Sequence, residues 1–379
     1  MKIALIVPGF SANEKDWCIP ALLNYVRMLA LQAEVHVFTL RWPERSGTYS
    51  IFGATVHALD GRKRLGMKVF SLWASALRAI TAEHRRAPFD VLHAFWADEP
   101  GWVAAWAGNR LNVPVILSLA GGELVGLRDI GYGLQLLPGR RLLVHWGLTH
   151  ASRITAGSDY LIRLARRSLP QSHWAKLVRA PFGVDTERFQ PSRVTPHASR
   201  RTAINVGSLV PIKNQAMLLR ALAHIPQLSL RVVGEGALRN ELQALASKLE
   251  IAERVEFLGE VNHADLPRLY QAADGFIQTS RHEAQGLAAL EAAACGLPVE
   301  GTPVGVLPEI GVIARDEAEL AQHLIELIGD PPRWKTLGEA ARAKVEADFS
   351  LDIAMERFID VYRSVAMRSA PEPAPQSQS

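Results

Sequence analysis

One feature constrains this chain more than any other: short apolar runs alternate with helical patterns along nearly its whole length. Residues 3–8 (IALIVP), 34–40 (EVHVFTL), 54–59 (ATVHAL), a run ending at His93, 114–120 (PVILSLA), 153–158 and 176–180 read as strands. After a polar stretch at 192–201 (SRVTPHASRR) the alternation restarts with 202–208, 230–236, 254–261, 275–280 (GFIQTS) and a short strand from Pro298. Continuous apolar runs are typical of strands buried on both faces, and intervening helices make the sheet parallel. The fold class is therefore α/β. A length of 379 residues accommodates two such domains. The boundary falls in the polar stretch, giving a first domain at 1–191 and a second at 202–350. The tail at 371–379 (PEPAPQSQS) has the composition of a disordered segment.

Composition excludes several classes. Two cysteines, Cys18 and Cys295, make neither a disulfide framework nor a metal-ligand set. The opening MKIALIVPGF has too short an apolar run for a signal peptide, and no stretch approaches the roughly 20 apolar residues of a membrane span. A reducing cytoplasm is the expected location. Charge is unevenly spread: residues 1–195 hold 24 Lys and Arg against 14 Asp and Glu, and eight of the nine tryptophans. The first domain is thus basic and Trp-rich, which suits an anionic membrane surface or an anionic acceptor. Residues 61–86 (GRKRLGMKVFSLWASALRAITAEHRR) read as a basic amphipathic helix, which permits peripheral attachment at the inner membrane face. Nucleic acid is not among the expected partners.

The stretch from Thr279 to Gly311 concentrates the chemistry. A strand, a loop with Glu283, an alanine-rich helix opened by Gly286, and Glu291 inside that helix follow one another. Backbone N–H groups near Gly286 and Leu287 have no helical partner, and the helix dipole favours an anion there, typically a phosphate. The two carboxylates can accept hydrogen bonds from sugar and ribose hydroxyls. The first strand leads into Gly9, whose loop can hold a phosphate but is not the dinucleotide fingerprint. His93 ends a strand on the side where α/β sheets place ligands.

The string EAQGLAALEAAACGLPV, followed by Pro308-Glu309, resembles the two-glutamate segment of retaining glycosyltransferases of family 4. That resemblance implies the GT-B fold, with two Rossmann-like domains facing a cleft and a last helix, here 351–368, returning to the first domain. It implies that Glu283 contacts the donor sugar, that Gln285, Gly286 and Leu287 belong to the donor site, and that Glu291 contacts the nucleotide ribose. It places the Gly9 loop opposite the donor. The segment APFGVDTERFQP resembles the family's interdomain crossing. The family's donor-diphosphate pair of cations is matched by Lys213, whereas Ser208 stands where the Arg is usual. In Ala120-Gly121-Gly122-Glu123 the usual His is Ala120, leaving Gly121, Gly122 and Glu123 as contacts for sugar or acceptor. The segment after Glu309 is shorter than is usual.

The activity so implied is transfer of a sugar from a nucleoside-diphosphate donor to a hydroxyl acceptor, with retention and by front-face attack. The acceptor class spans glycans, lipid-linked sugars and small molecules, as in polysaccharide biosynthesis. Glu283 and His93 are the candidate catalytic residues. No metal and no cofactor are required, because Lys213 and the helix start can hold the leaving diphosphate. The losses at Ala120 and Ser208 also fit a catalytically degenerate glycan- or nucleotide-binding protein in an assembly complex.

Overall fold

The computed structural model describes residues 1–16, 18–192 and 201–366. The first domain contains β1 (Lys2–Gly9), α1 (Pro20–Ala30), β2 (Glu34–Trp42), β3 (Ser46–Ile51), β4 (Ala54–Leu59), α2 (Val69–Arg86), β5 (Val91–Phe95), α3 (Glu99–Leu111), β6 (Val115–Leu119), α4 (Pro138–His150), β7 (Arg153–Ala156), α5 (Asp159–Ser168) and β8 (Leu177–Arg179). Its eight strands take the order β3-β4-β2-β1-β5-β6-β7-β8, parallel except for β3. The second domain contains β9 (Arg201–Val206), α6 (Gln215–Ala223), β10 (Leu228–Val233), α7 (Arg239–Lys248), β11 (Val255–Gly259), α8 (Leu266–Gln271), β12 (Gly275–Gln278), α9 (Leu287–Ala294), β13 (Val299–Gly301), α10 (Leu307–Ile310), β14 (Val312–Ile313), α11 (Glu317–Gly329) and α12 (Pro331–Phe349). Its sheet is ordered β11-β10-β9-β12-β13-β14, and a last helix, α13 (Leu351–Ala366), follows.

The apolar runs fold as their composition dictates. In β1, Ile3 to Val7 are completely buried, with helices covering both faces of the sheet. Strand order reverses between β1 and β5 in one sheet and between β9 and β12 in the other. Loops leaving a sheet at such a reversal splay apart and open a crevice, which is where α/β proteins bind ligands. A cavity opens at the carboxyl ends of both sheets. Helix α13 is buried in the first domain's core, where the Phe358 and Tyr25 rings sit 4.8 Å apart and Tyr362 is fully enclosed. Burying an aromatic ring of this kind contributes about 1.5–3 kcal/mol.

The structure corrects several local expectations. Residues 46–51 form an antiparallel edge strand rather than loop, paired to β4 across a tight turn in which Phe52 and Gly53 both have positive φ. The amphipathic segment is α-helical only from Val69, after a single 3-10 turn at Gly66–Lys68; before it, Gly61 abuts the Leu40 carbonyl. The basic cluster at 62–64 therefore precedes α2. The first helix starts at Pro20, with proline in the first turn where its missing N–H costs nothing, not at Asp16. The stretch after Glu309 does contain a short strand, β14. Most of the polar linker and the whole acidic-polar tail at 371–379 lie outside the described residues.

Candidate active site

The site is built outward from α9. Gly286, at φ of 95°, turns the chain from the β12 loop into the helix, a conformation that a residue with a Cβ adopts only under strain. The Val306 N–H fixes this turn by donating to the Gln285 carbonyl at 2.7 Å. Gly286, Leu287 and Ala288 then line a cavity of about 390 Å³ between the domains. The helix dipole makes this wall electropositive.

Lys213 enters from the turn after β9. The Thr279 hydroxyl holds that turn against the end of β12 by donating to the Asn214 carbonyl at 3.0 Å. Lys213 Nζ meets Glu283 Oε1 at 2.5 Å, and the Ser280 hydroxyl donates to the same carboxylate at 2.7 Å. Both charged side chains line the cavity, with Glu283 only 13% exposed. Ser208 also lines it, and its carbonyl accepts from Gln215 Nε2 at 3.1 Å.

Glu291 lies one and a half turns into α9. Its oxygens accept from His263 Nε2 at 2.7 Å and Tyr270 Oη at 3.2 Å. It borders a smaller cavity of about 90 Å³, which shares Leu287 and Ala288 with the larger one. The two carboxylates thus serve two adjoining compartments of one cleft.

Other candidates turn out to be fastenings. Gln285 lies in the cavity wall, but its amide is taken up by the other domain. Nε2 donates to the Phe182 carbonyl at 2.8 Å, and Oε1 accepts from the Phe182 N–H at 2.9 Å. Glu123 is fully buried and accepts from the Ala120 and Gly121 N–H groups at 3.0 and 2.7 Å, so it braces its own loop. Burial raises its carboxyl above the usual range. Gly121 is tied across the cleft through its carbonyl, while Gly122 packs under the Tyr132 ring. Gly9 packs on Trp42, and the wall is formed instead by Ile19, at the end of the loop that follows, and by Ala21 in the first turn of α1.

His93 is not brought to the cavity. It is fully buried, bonded through Nδ1 to the Tyr362 hydroxyl at 2.6 Å and through Nε2 to the Ser118 hydroxyl at 2.7 Å. Burial lowers its imidazole to about 3, so it is a neutral link between α13 and β6. Direct catalytic contact, expected from reading His93 as the end of a strand, is excluded by that packing, and β5 runs on to Phe95, which leaves His93 in mid-strand. Ser118 and Thr155, which it supports, do line the cavity.

Several residues escaped sequence reasoning. His282 donates to the Gly121 carbonyl at 3.0 Å and contacts the Tyr160 hydroxyl at 3.1 Å. The Ser158 hydroxyl caps α5 and also donates to the Ala284 carbonyl at 2.7 Å. Glu309 accepts from the Asp159 N–H at 3.0 Å and pairs with Arg179. Apart from the Ser158 cap, these bonds join segments more than 100 residues apart, and no local pattern encodes them. Among the described residues, the cluster able to hold a metal (His36, His57 and Glu83) lies away from this cleft.

One sheet offers a lysine, a carboxylate and a helix start to a ligand that is anionic at one end and hydroxylated at the other. The other sheet closes the opposite wall, which is the division of labour of a GT-B glycosyltransferase. The chain belongs to glycosyltransferase family 4: residues 22–188 match the profile described as Glycosyltransferase Family 4, and residues 187–344 match Glycosyl transferases group 1. It is 32% identical over 262 residues to a GDP-mannose-dependent monoacylated alpha-(1-6)-phosphatidylinositol monomannoside mannosyltransferase of Corynebacterium glutamicum, covering 61% of this chain and 67% of that one. Its fold is similar to sucrose-phosphate synthase from Thermosynechococcus elongatus, with TM-score 0.80, 23% identity, and 97% and 99% of the two chains covered. It is also similar to Anabaena Alr3699/HepE, solved in complex with UDP-glucose, with TM-score 0.74, 19% identity, and 96% and 100% covered.

Proposed function

We propose that this glycosyltransferase takes its sugar from a nucleoside-diphosphate donor, retains the anomeric configuration, needs no metal and works at an anionic membrane surface on a hydroxyl acceptor. The observation that carries the reading is the Lys213–Glu283 pair, 2.5 Å apart, beside the start of α9. In the free chain each charge masks the other. A bound donor separates them: its diphosphate takes Lys213 and the first-turn N–H groups of α9, and Glu283 turns to the sugar hydroxyls. As the bond from the anomeric carbon to phosphate breaks, negative charge grows where those donors already point. The acceptor hydroxyl attacks from the same face, and the departing phosphate oxygen takes its proton. Glu291 holds the ribose in the adjoining compartment.

The named relatives use GDP-mannose in one case and bind UDP-glucose in another, which supports a nucleotide-sugar donor without selecting the base. A lipid-like acceptor is supported by the face of α2, α3 and α4. Trp106 on α3, 6.4 Å from the Trp102 ring, is 37% exposed, and Leu142 on α4 is 70% exposed. Met67 and Phe70 stand 83% and 57% exposed beside the basic run from Arg62 to Lys68. No described helix is long and apolar enough to cross a membrane. A cytoplasmic enzyme docked at the inner membrane face fits this pattern.

The test is a panel of nucleoside-diphosphate sugars with EDTA present, followed by NMR of the product's anomeric proton. Metal-free release of one nucleoside diphosphate, dependent on acceptor and yielding a retained linkage, is expected. Binding without turnover for every donor and acceptor would favour a glycan- or nucleotide-binding role, consistent with Ala120 leaving the first-domain wall without a titratable side chain.

A further inference from the structure

We propose that His36, His57 and Glu83 bind one late first-row divalent cation, zinc foremost, near the amino ends of the strands in the first domain and far from the cleft. His36 is on β2, His57 on the neighbouring β4, and Glu83 in the last turn of α2. One ligand atom from each lies within 4.8 Å of the others. The facing nitrogens, His36 Nδ1 and His57 Nε2, are 3.0 Å apart. Zinc–nitrogen bonds of about 2.0–2.1 Å at a tetrahedral angle separate two nitrogens by roughly 3.3 Å. The two nitrogens need to part by a few tenths of an ångström and turn toward a common point, and the Glu83 carboxylate, paired with Arg86 at 2.8 Å, has to swing toward them from within 4.8 Å.

The surroundings are those of metal-bound histidines. In such sites the second ring nitrogen is held by a carboxylate or another oxygen, which fixes the tautomer and aims the ligating lone pair. Here His36 Nε2 donates to Glu34 Oε1 at 3.0 Å, and His57 Nδ1 lies 3.4 Å from the Thr48 hydroxyl. The rings are also clamped by packing: His57 stacks on Phe38 at 4.6 Å, and His36 meets the Phe89 edge at 5.4 Å. Both histidines are at least nine-tenths buried, whereas Glu34, at the mouth, is 61% exposed and leaves a path for entry. Two imidazoles and one carboxylate favour zinc, cobalt or copper over magnesium or calcium. Water completes the fourth position.

Without metal, the His57 Nε2–H donates to His36 Nδ1. On binding, that ring–ring hydrogen bond is lost, both lone pairs go to the cation, and the His57 proton moves to Nδ1, where the Thr48 oxygen accepts it. The bound ion crosslinks two strands to α2 and therefore stabilises the first domain without touching the cavity.

The experiment uses the full-length protein, stripped with EDTA and dialysed against zinc or cobalt chloride. Expected are one zinc per chain by elemental analysis, visible absorption of four-coordinate Co(II), and a raised Tm. His57→Gln and His36→Gln should each lower affinity at least a hundredfold, and Glu83→Gln about tenfold, with the glycosyl-transfer rate per folded molecule unchanged. Circular dichroism and the metal-free Tm of each variant show whether it folds, and Glu83→Gln, which changes a helix-end carboxylate and its 2.8 Å pair with Arg86, carries the test where a histidine variant does not. Absence of Co(II) bands in the wild type, or zinc binding equal in wild type and all folded variants, overturns the proposal.

Discussion

Glu283→Gln separates the two tasks assigned to the cleft. In the wild type a diphosphate must compete with Glu283 for Lys213, since the two side chains are 2.5 Å apart. The pair is neither exposed nor deeply buried, at 28% and 13% side-chain exposure. Exposed pairs contribute about 0–1 kcal/mol, and removing one partner of a buried pair costs about 3–5 kcal/mol. An intermediate value, about 1–2 kcal/mol, is what the diphosphate must overcome. Glutamine keeps the shape and still accepts from the Ser280 hydroxyl, but it releases Lys213 and removes a negative charge beside the phosphates. The free nucleoside diphosphate should bind about 5–30-fold more tightly, because about 1.4 kcal/mol is tenfold. Sugar transfer should fall at the same time by about 10²–10³ in kcat, the scale seen when a group that stabilises the transition state is lost. Calorimetric titration of the nucleoside diphosphate gives the first quantity and steady-state kinetics the second. Unchanged or weaker nucleotide affinity would refute the masking argument, and an unchanged kcat would remove Glu283 from the reaction.

Gln285→Leu strands the Phe182 N–H and C=O at the domain interface, where an unsatisfied buried group costs about 1–3 kcal/mol. Tm should fall and the donor KM should rise, and a thermal-shift series with kinetics checks both. Glu300 is buried with its carboxyl raised from 4.5 to about 8 by burial, so the folded state holds a proton that the unfolded state has released between those values. Stability should therefore decline as pH rises from about 5 to about 8. Glu300→Gln should flatten that decline in Tm-against-pH scans, and parallel slopes would disprove it. Phe358→Ala removes a side chain that is 2% exposed between α13 and the first domain, and a loss of about 3–5 kcal/mol is expected in denaturant unfolding. Ser158→Ala loses the α5 cap and the bond to Ala284 together, for about 1–2 kcal/mol.

The alternation of apolar runs and helices determined the α/β class by itself, since each run must be buried and a parallel neighbour requires a crossover. Local chemistry also made the start of α9 legible: Gly286 marks the turn, with Glu283 before it and Glu291 inside a helix whose first N–H groups lack partners. The edge strand β3 was illegible because an exposed strand beside one neighbour needs no apolar signature. His93 shows the limit from the other side. The sequence read as a strand ending at His93 and so suggested chemistry, yet β5 runs on to Phe95, and α13, arriving from more than 250 residues away, covers His93 with Tyr362 and leaves it a neutral structural link. Gln285 sits inside the most readable motif of the chain, and only the approach of Phe182 turned it into a clamp. Local sequence fixes which groups a turn or helix end must expose. Which of those groups meet a ligand and which meet the other domain is decided by contacts across the cleft, because a hydrogen bond between distant segments leaves no periodicity in either.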